Sequence, residues 1–103
     1  MKIKTQDLTG PALDLAVARA WYGYDYKMPM PFFNPSVEWN QGGPIIELQG
    51  ISLEWSGWGG DEQWLAYIKH DDEFKGPTPL IAAMRCYVAS KLGDEVDIPE
   101  ELL

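Results

Sequence analysis

Residues 76–93 constrain the fold more than any other part of the chain, because they mark both ends of one helix. Thr78 can accept hydrogen bonds from the first free backbone N–H groups, and Pro79 suits the first helical position, where no N–H is needed. Gly93 supplies the left-handed residue that commonly follows a helix. The sequence therefore predicts a helix over about residues 79–92. None of these signals requires a chemically reactive side chain.

A second helix is predicted near the start of the chain, over about residues 10–21. Thr9 or Gly10 can cap it, Pro11 fits its first turn, and apolar side chains follow at helical spacing. Both helices carry a stripe of small residues, which lets two backbones approach closely, so we expect the helices to pack against each other. The stripes consist of Ala12, Ala16 and Ala20 in the first helix and Ala82, Cys86, Ala89 and Ser90 in the second.

Residues 46–55 alternate apolar and polar side chains in two runs whose phase slips at Gln49-Gly50. A two-residue hairpin turn there brings the apolar side chains onto one face, and a bulge at Gly50 is an alternative explanation of the slip. The apolar run at 63–69 suits a third strand, with a short helical turn as the other option. In the hairpin, the predicted pairs are Leu48 with Ile51 and Ile46 with Leu53.

Together these elements predict an α+β fold in which two helices pack on a small antiparallel sheet that includes residues 45–55. A chain of 103 residues, 46% of them hydrophobic, can bury one compact core. We therefore expect a single domain over residues 1–103. Residues 94–103 contain five acidic side chains and no basic one, so we expect a partly exposed C-terminal tail.

The formal net charge of −8 restricts the classes of partner. It repels nucleic-acid backbones, and the eight Lys and Arg residues are scattered, so we expect no direct binding of nucleic acid. Two explanations of the acidity remain open: carboxylates that imitate DNA on a basic partner, and charge that keeps the protein in solution. No apolar run approaches the roughly 20 residues of a membrane span, and no signal peptide is evident, so we expect a cytoplasmic location without membrane contact.

The sequence offers little reactive chemistry. His70 stands beside three carboxylates at 71–73, but adjacent residues on a loop rarely converge on one metal ion, so a charged surface turn is preferred. Cys86 lies on a small-residue stripe and has no histidine near it in sequence, so we expect a buried filler. The run Gln41-Gly42-Gly43-Pro44 lacks the lysine of a phosphate loop and is interpreted as a turn. We expect no catalytic residue, metal site or cofactor.

Aromatic residues are the most promising functional feature. Twelve of the thirteen lie between Trp21 and Phe74, more than three short strands can bury. Trp39, Trp55 and Trp64 are expected to form part of the core. Some of the others are expected at the surface, where aromatic side chains are typical of partner-binding sites. The candidate binding residues are Tyr22, Tyr24, Tyr26, Phe32, Phe33 and Trp58.

Three separated blocks of sequence resemble the NinX family of small phage and prophage proteins. The blocks are residues 8–18, beginning Leu8-Thr9-Gly10-Pro11, residues 41–47, beginning Gln41-Gly42-Gly43-Pro44, and residues 76–96, beginning Gly76-Pro77-Thr78-Pro79. The stretches 22–33 and 52–60 depart from the resemblance. It implies a phage-derived protein in a bacterial host cell, and it implies no catalytic residue.

The leading hypothesis is a non-enzymatic phage accessory protein that binds a host or phage protein through the aromatic segment 22–33 and adjacent carboxylates. Self-association through the same segment, giving a homo-oligomer, is an equal alternative. The competing class is a small-ligand-binding protein or an enzyme whose pocket lies between the Gly-rich turns and the tryptophans. Such a pocket would use Glu38, Glu54 or Asp61.

Overall fold

The structure is a computed structural model, and it describes residues 1–23, 31–57, 63–69 and 72–103. Within these ranges it contains α1 (Gly10–Tyr22), α2 (Trp39–Gln49) and α3 (Pro79–Leu92). The strands are β1 (Lys2–Lys4), β2 (Ile51–Ser56), β3 (Gln63–Ile68), β4 (Phe74–Gly76) and β5 (Glu95–Asp97), and short 3₁₀ turns cover Thr5–Asp7 and Glu100–Leu102. The predicted α+β class is confirmed, with one α-helix more than expected in the described part.

The two predicted helices, α1 and α3, form as expected and pack against each other. Thr78 Oγ1 accepts a hydrogen bond from Ile81 N at 3.1 Å, which caps α3, whereas Thr9 precedes α1 without a side-chain bond. Gly23 and Gly93 end the two helices. Most of the two small-residue stripes is buried, which permits the close packing that the sequence predicts. The members exposed by 3% or less are Ala12, Ala16, Ala82 and Cys86.

The predicted strand over residues 45–49 is wrong, because these residues form the second half of α2. Gly42, Ile45 and Gln49 recur at helical spacing on the inner face of this helix. Leu48, which a hairpin would have placed against the core, is 70% exposed. The alternation of apolar and polar residues that suggested a strand therefore arises by chance, in a helix that buries only one narrow face.

The interpretation of Gln41-Gly42-Gly43-Pro44 as a turn is also wrong, because all four residues lie inside α2. Pro44 cannot donate a helical hydrogen bond, and two glycines add to the cost, so local propensity opposes this helix. Packing against α3 and β2 outweighs that propensity. The helix ends at Gly50, whose φ of 65° is the left-handed conformation of a helix terminus.

The strands form two antiparallel sheets. β2, β3 and β4 lie side by side in that order, with Leu53 opposite Ala66. β1 and β5 form a separate pair, with Ile3 opposite Val96. The third predicted strand, residues 63–69, is thus confirmed as β3. No hairpin turn lies at the end of α2.

α3 lies at the centre of the core, in contact with α1, α2 and the three-stranded sheet. Its Ala82, Met84 and Val88 have no exposed surface. In the acidic C-terminal segment, β5 pairs with β1, and Val96 and Ile98 are buried while the carboxylates around them are exposed. In the described ranges, no helix has both the length and the apolar character that a membrane span requires.

Candidate partner-binding surface

Aromatic side chains gather where α1 ends. Trp21 and Tyr22, the last two residues of α1, are 38% and 54% exposed. The Trp21 ring meets the ring of the buried Tyr87 at a steep angle, with centroids 6.1 Å apart, and Tyr22 meets Phe33 similarly at 5.7 Å. Edge-to-face contacts of this kind favour fixed ring orientations. The exposed faces of Trp21 and Tyr22 are therefore presented on a firm support.

Phe32 is the most exposed large apolar side chain that the structure describes, at 94%. Its φ of 64° lies in the left-handed region, which is unfavourable for a bulky side chain. The side chain of Gln41 holds this conformation, because its Nε2 donates to Phe32 O at 2.7 Å and its Oε1 accepts from Asn34 N at 2.6 Å. A ring turned to solvent on a strained, clamped backbone indicates a role other than folding.

An open groove of about 280 Å³ runs beside these rings. The end of α1, the turn before α2 and one side of α2 all contribute to it. Leu48 lies one helical turn beyond Pro44 and extends the apolar strip along α2. We call the groove residues and Phe32 the aromatic surface. The groove residues are Trp21, Tyr22, Phe33, Gln41, Pro44 and Ile45.

Asp14 anchors the segment before α2 to α1. This carboxylate is only 7% exposed, and its Oδ1 accepts a hydrogen bond from Ser36 N at 3.0 Å. Burial raises the pKa of Asp14 above its ordinary value of 3.8, and the Ser36 N–H opposes that rise. Ser36 Oγ is buried beside the carboxylate and also lowers the Asp14 pKa, although it makes no hydrogen bond of ordinary geometry to any described residue.

The structure places three of the six predicted binding residues on this surface: Tyr22, Phe32 and Phe33. The other three lie outside the described residues; they are Tyr24, Tyr26 and Trp58. Sequence reasoning missed four contributors, and for the three on α2 the available signal was the helical spacing of the buried residues of this helix. The missed contributors are Trp21, Gln41, Pro44 and Ile45.

The prediction that three tryptophans form the core is wrong for two of them. Trp39 is 55% exposed and Trp55 is 49% exposed, while the half-buried Trp64 packs against the core. The reason is that small aliphatic side chains of α1 and α3 already fill the interior. Trp55 and Trp64 form a cross-strand pair with centroids 5.4 Å apart. Glu54 points to the opposite face of β2, since strand residues alternate, so it does not join this pair.

Groups suited to catalysis or metal binding do not converge in the described ranges. There, no three His, Cys, Asp or Glu side chains are placed to hold a metal ion. His70, Asp71 and Asp61 lie outside those ranges, and Asp72 is exposed. A cavity of about 300 Å³ is bordered by Asp72, Asp94 and the buried Cys86.

We expect Cys86 of the native protein to react slowly with a thiol reagent, because its side chain is only 3% exposed. The measurement is the rate of colour release by a disulfide reagent, compared with the rate in urea. Unfolding should accelerate the reaction strongly. Equal rates in the two conditions would show that Cys86 is accessible and reactive.

Replacing Phe32 with glycine should raise the free energy of unfolding by up to about 1 kcal/mol, because glycine tolerates a positive φ and little packing is lost. Phe32→Ala keeps the backbone cost, so it should leave stability nearly unchanged. Urea unfolding followed by circular dichroism measures both. Clear destabilisation by either variant would mean that the ring supports the fold.

The fold and this surface define a small α+β protein whose distinctive feature is a set of clamped, exposed aromatic side chains. The family model of bacteriophage P22 NinX matches residues 4–91, a region that contains α1, α2, the three-stranded sheet and nearly all of α3. The chain therefore belongs to the phage P22 NinX family, which confirms the resemblance seen in the sequence. No curated protein matches it.

Proposed function

We propose that this phage protein is a non-enzymatic accessory protein that binds a host or phage protein through the aromatic surface. Phe32 is the observation that carries the proposal. Its ring is 94% exposed and its backbone is strained. The Gln41 side chain holds that backbone by hydrogen bonds to Phe32 O and Asn34 N. Folding alone gains nothing from this arrangement, whereas a partner that covers the ring does.

The distribution of exposed apolar side chains supports the same proposal. Of the nine large ones among the described residues, three belong to the aromatic surface, namely Trp21, Tyr22 and Phe32, and Leu48 adjoins it. Aromatic residues with rigid supports are common energetic centres of protein interfaces, because they bury a large area at a small loss of conformational freedom. A partner that covers Trp21, Tyr22 and Phe32 would gain this energy.

Carboxylates flank the proposed interface. Glu38 precedes α2 and Glu47 lies in its last turn, and both are exposed. Charged side chains at the rim of an interface mainly set the partner's orientation and the rate of association. The partner would therefore present apolar side chains surrounded by Lys or Arg. A second copy of the chain remains an alternative occupant, although its own charge of −8 opposes association.

Affinity capture from a lysate of the bacterial host tests this proposal. Tyr22→Ala removes an exposed ring of the aromatic surface, and Val37→Ala is the matched control, since Val37 is 60% exposed and lies outside that surface. We expect a specific protein to be retained by the wild type and by Val37→Ala and lost from Tyr22→Ala. Equal retention by both variants would contradict the proposal.

Two further readouts separate the alternatives. A native mass above that of the 11.6 kDa chain, lowered by Tyr22→Ala, would identify a second copy as the occupant. A thermal-shift panel of metabolites addresses the ligand-binding class. One small molecule that strongly raises the melting temperature, together with no captured protein, would favour a ligand-binding protein instead.

A further inference from the structure

The two edges of the three-stranded sheet are treated differently. β4, at one edge, has only three residues, and the Gln6 side chain pairs with it like a neighbouring strand. Gln6 Nε2 donates to Lys75 O at 2.8 Å, and Gln6 Oε1 accepts from Lys75 N at 3.0 Å. Arg85 Nη1 donates to the same carbonyl at 2.6 Å. This edge is therefore closed to further strands.

These contacts fix the orientation of every backbone group in the sheet. Since Lys75 N and O face Gln6, they point away from β3, and Leu65 opposite must point its own N–H and C=O toward β2. Leu65 faces Glu54, so Glu54 is hydrogen-bonded to β3. The alternation of an antiparallel ladder then turns the N–H and C=O groups of Ile51, Leu53 and Trp55 outward.

The outward side of β2 is a free edge. Among the described residues, no hydrogen bond other than those to β3 is made by its six residues. Proteins commonly protect such an edge with lysine, proline or a bulge, but the sequence Ile-Ser-Leu-Glu-Trp-Ser at 51–56 has no lysine and no proline. The outward N–H and C=O groups of Leu53 and Trp55 are a template for an added strand, whereas Ile51 is only 7% exposed.

We propose that the outer edge of β2 binds an extended, basic segment of a partner protein as a fourth strand of this sheet. Backbone hydrogen bonds to Leu53 and Trp55 would hold the segment. Its side chains on one face would lie beside Leu53 and the exposed Trp55, which favours apolar residues there. On the other face they would lie beside Glu54.

Charge complementarity selects this occupant over a second copy. The cross-strand neighbour of Glu54 is Leu65, and the nearest basic residue in that row is Lys75, two strands away and roughly 10 Å distant by ordinary strand spacing. Lys or Arg on an added strand would lie directly beside the carboxylate. A second copy would instead bring another chain of charge −8. This surface is separate from the aromatic surface, and either proposal stands without the other.

Amide hydrogen exchange of the wild-type protein tests the free edge directly. We expect the N–H groups of Leu53 and Trp55 to exchange quickly and those of Ser52 and Glu54 to be protected. Addition of the peptide acetyl-Val-Lys-Val-Lys-Val-Lys-Val-amide should slow exchange at Leu53 and Trp55. Protection of these two amides in the free protein would overturn the proposal, and so would fast exchange that the peptide does not change.

Matched variants separate strand addition from simple charge attraction. Leu53→Pro removes one outward backbone N–H. Leu53→Ala also loses the leucine side chain but keeps this N–H. The peptide should therefore bind Leu53→Pro at least about tenfold more weakly than Leu53→Ala. Glu54→Lys should weaken binding by about threefold or more. Circular dichroism checks that each variant is folded; if Leu53→Pro is not, the exchange measurement on the wild type decides.

Two controls define the results that contradict the proposal. The same peptide methylated on alternate backbone nitrogens keeps its charge but loses backbone N–H donors. If it bound as tightly as the unmethylated peptide, electrostatic attraction alone would explain the binding. Sedimentation of the free protein tests the other occupant. A dimer that forms in the wild type and Leu53→Ala but is lost in Leu53→Pro would assign the edge to a second copy and overturn the assignment to a basic partner.

Discussion

Replacing Gly42 with alanine should lower the free energy of unfolding by about 2 to 3 kcal/mol. A Cβ on Gly42 would lie 2.6 Å from Pro35 O and 2.6 Å from Leu80 Cδ2. The leucine methyl can rotate away, but the carbonyl belongs to the backbone of the turn that leads into α2. Relief therefore requires α2 to move away from its neighbours, and this loss outweighs the better helix propensity of alanine.

Gly43→Ala is the matched control for this prediction. Gly43 is the next residue of the same helix, and a Cβ there would meet no atom within 4 Å outside its two chain neighbours and the helix's own backbone. Alanine should change the free energy of unfolding at this position by less than about 1 kcal/mol, because its better helix propensity is opposed by the contact of its Cβ with the following Pro44. Urea unfolding followed by circular dichroism compares the two. Equal stability of the two variants would show that α2 does not pack as closely as the structure has it.

Replacing Asp14 with alanine should cost about 1 to 3 kcal/mol, because Ser36 N would be left buried without an acceptor. Asp14→Asn keeps a carbonyl oxygen at the same position, and Ser36 Oγ can accept from the new amide, so that variant should stay within about 1 kcal/mol of the wild type. Thermal unfolding of the three proteins measures the difference. The same large loss in both variants would mean that the negative charge itself, rather than the hydrogen bond, stabilises the contact.

The raised pKa of Asp14 gives this pair a characteristic pH dependence. The folded state binds the Asp14 proton more tightly than the unfolded state, so this group reduces stability as pH rises from 3.8 through the folded-state pKa. Asp14→Asn lacks the effect. Its stability relative to the wild type should therefore increase over that interval and stay constant above it. A relative stability that decreases over the same interval would contradict the raised pKa.

The ends of α1 and α3 were predictable because local chemistry marks them. Pro79 and Gly93 act through their own backbone restrictions, and these hold whatever surrounds them. α2 was not predictable in the same way. Gly42 and Pro44 oppose a helix locally, and the helix forms because Gly42 lets it approach Leu80. That contact spans 38 positions of sequence and cannot be read from local pattern.

The candidate site was also predictable only in part: local composition indicated some of its residues, but not the contacts between distant positions. The density of aromatic residues was enough to predict exposed rings at Tyr22 and Phe32, whereas Phe33 is partly buried and packs against the core. The polar contacts that hold them were not predictable, because Gln41 reaches Phe32 across nine positions and Ser36 reaches Asp14 across 22. Neither pair stands out in composition. The tryptophans were misplaced because the sequence does not show how fully alanine-rich helices fill the core.

Binding of the captured partner to Phe32→Gly is the most direct test of the aromatic surface as a binding site. This variant removes the exposed ring and relieves the strained backbone, so it should be as stable as the wild type or more so. We expect its dissociation constant for the partner to rise at least about tenfold, as for a central interface residue. An unchanged dissociation constant in a fully folded Phe32→Gly would contradict the role assigned to this surface.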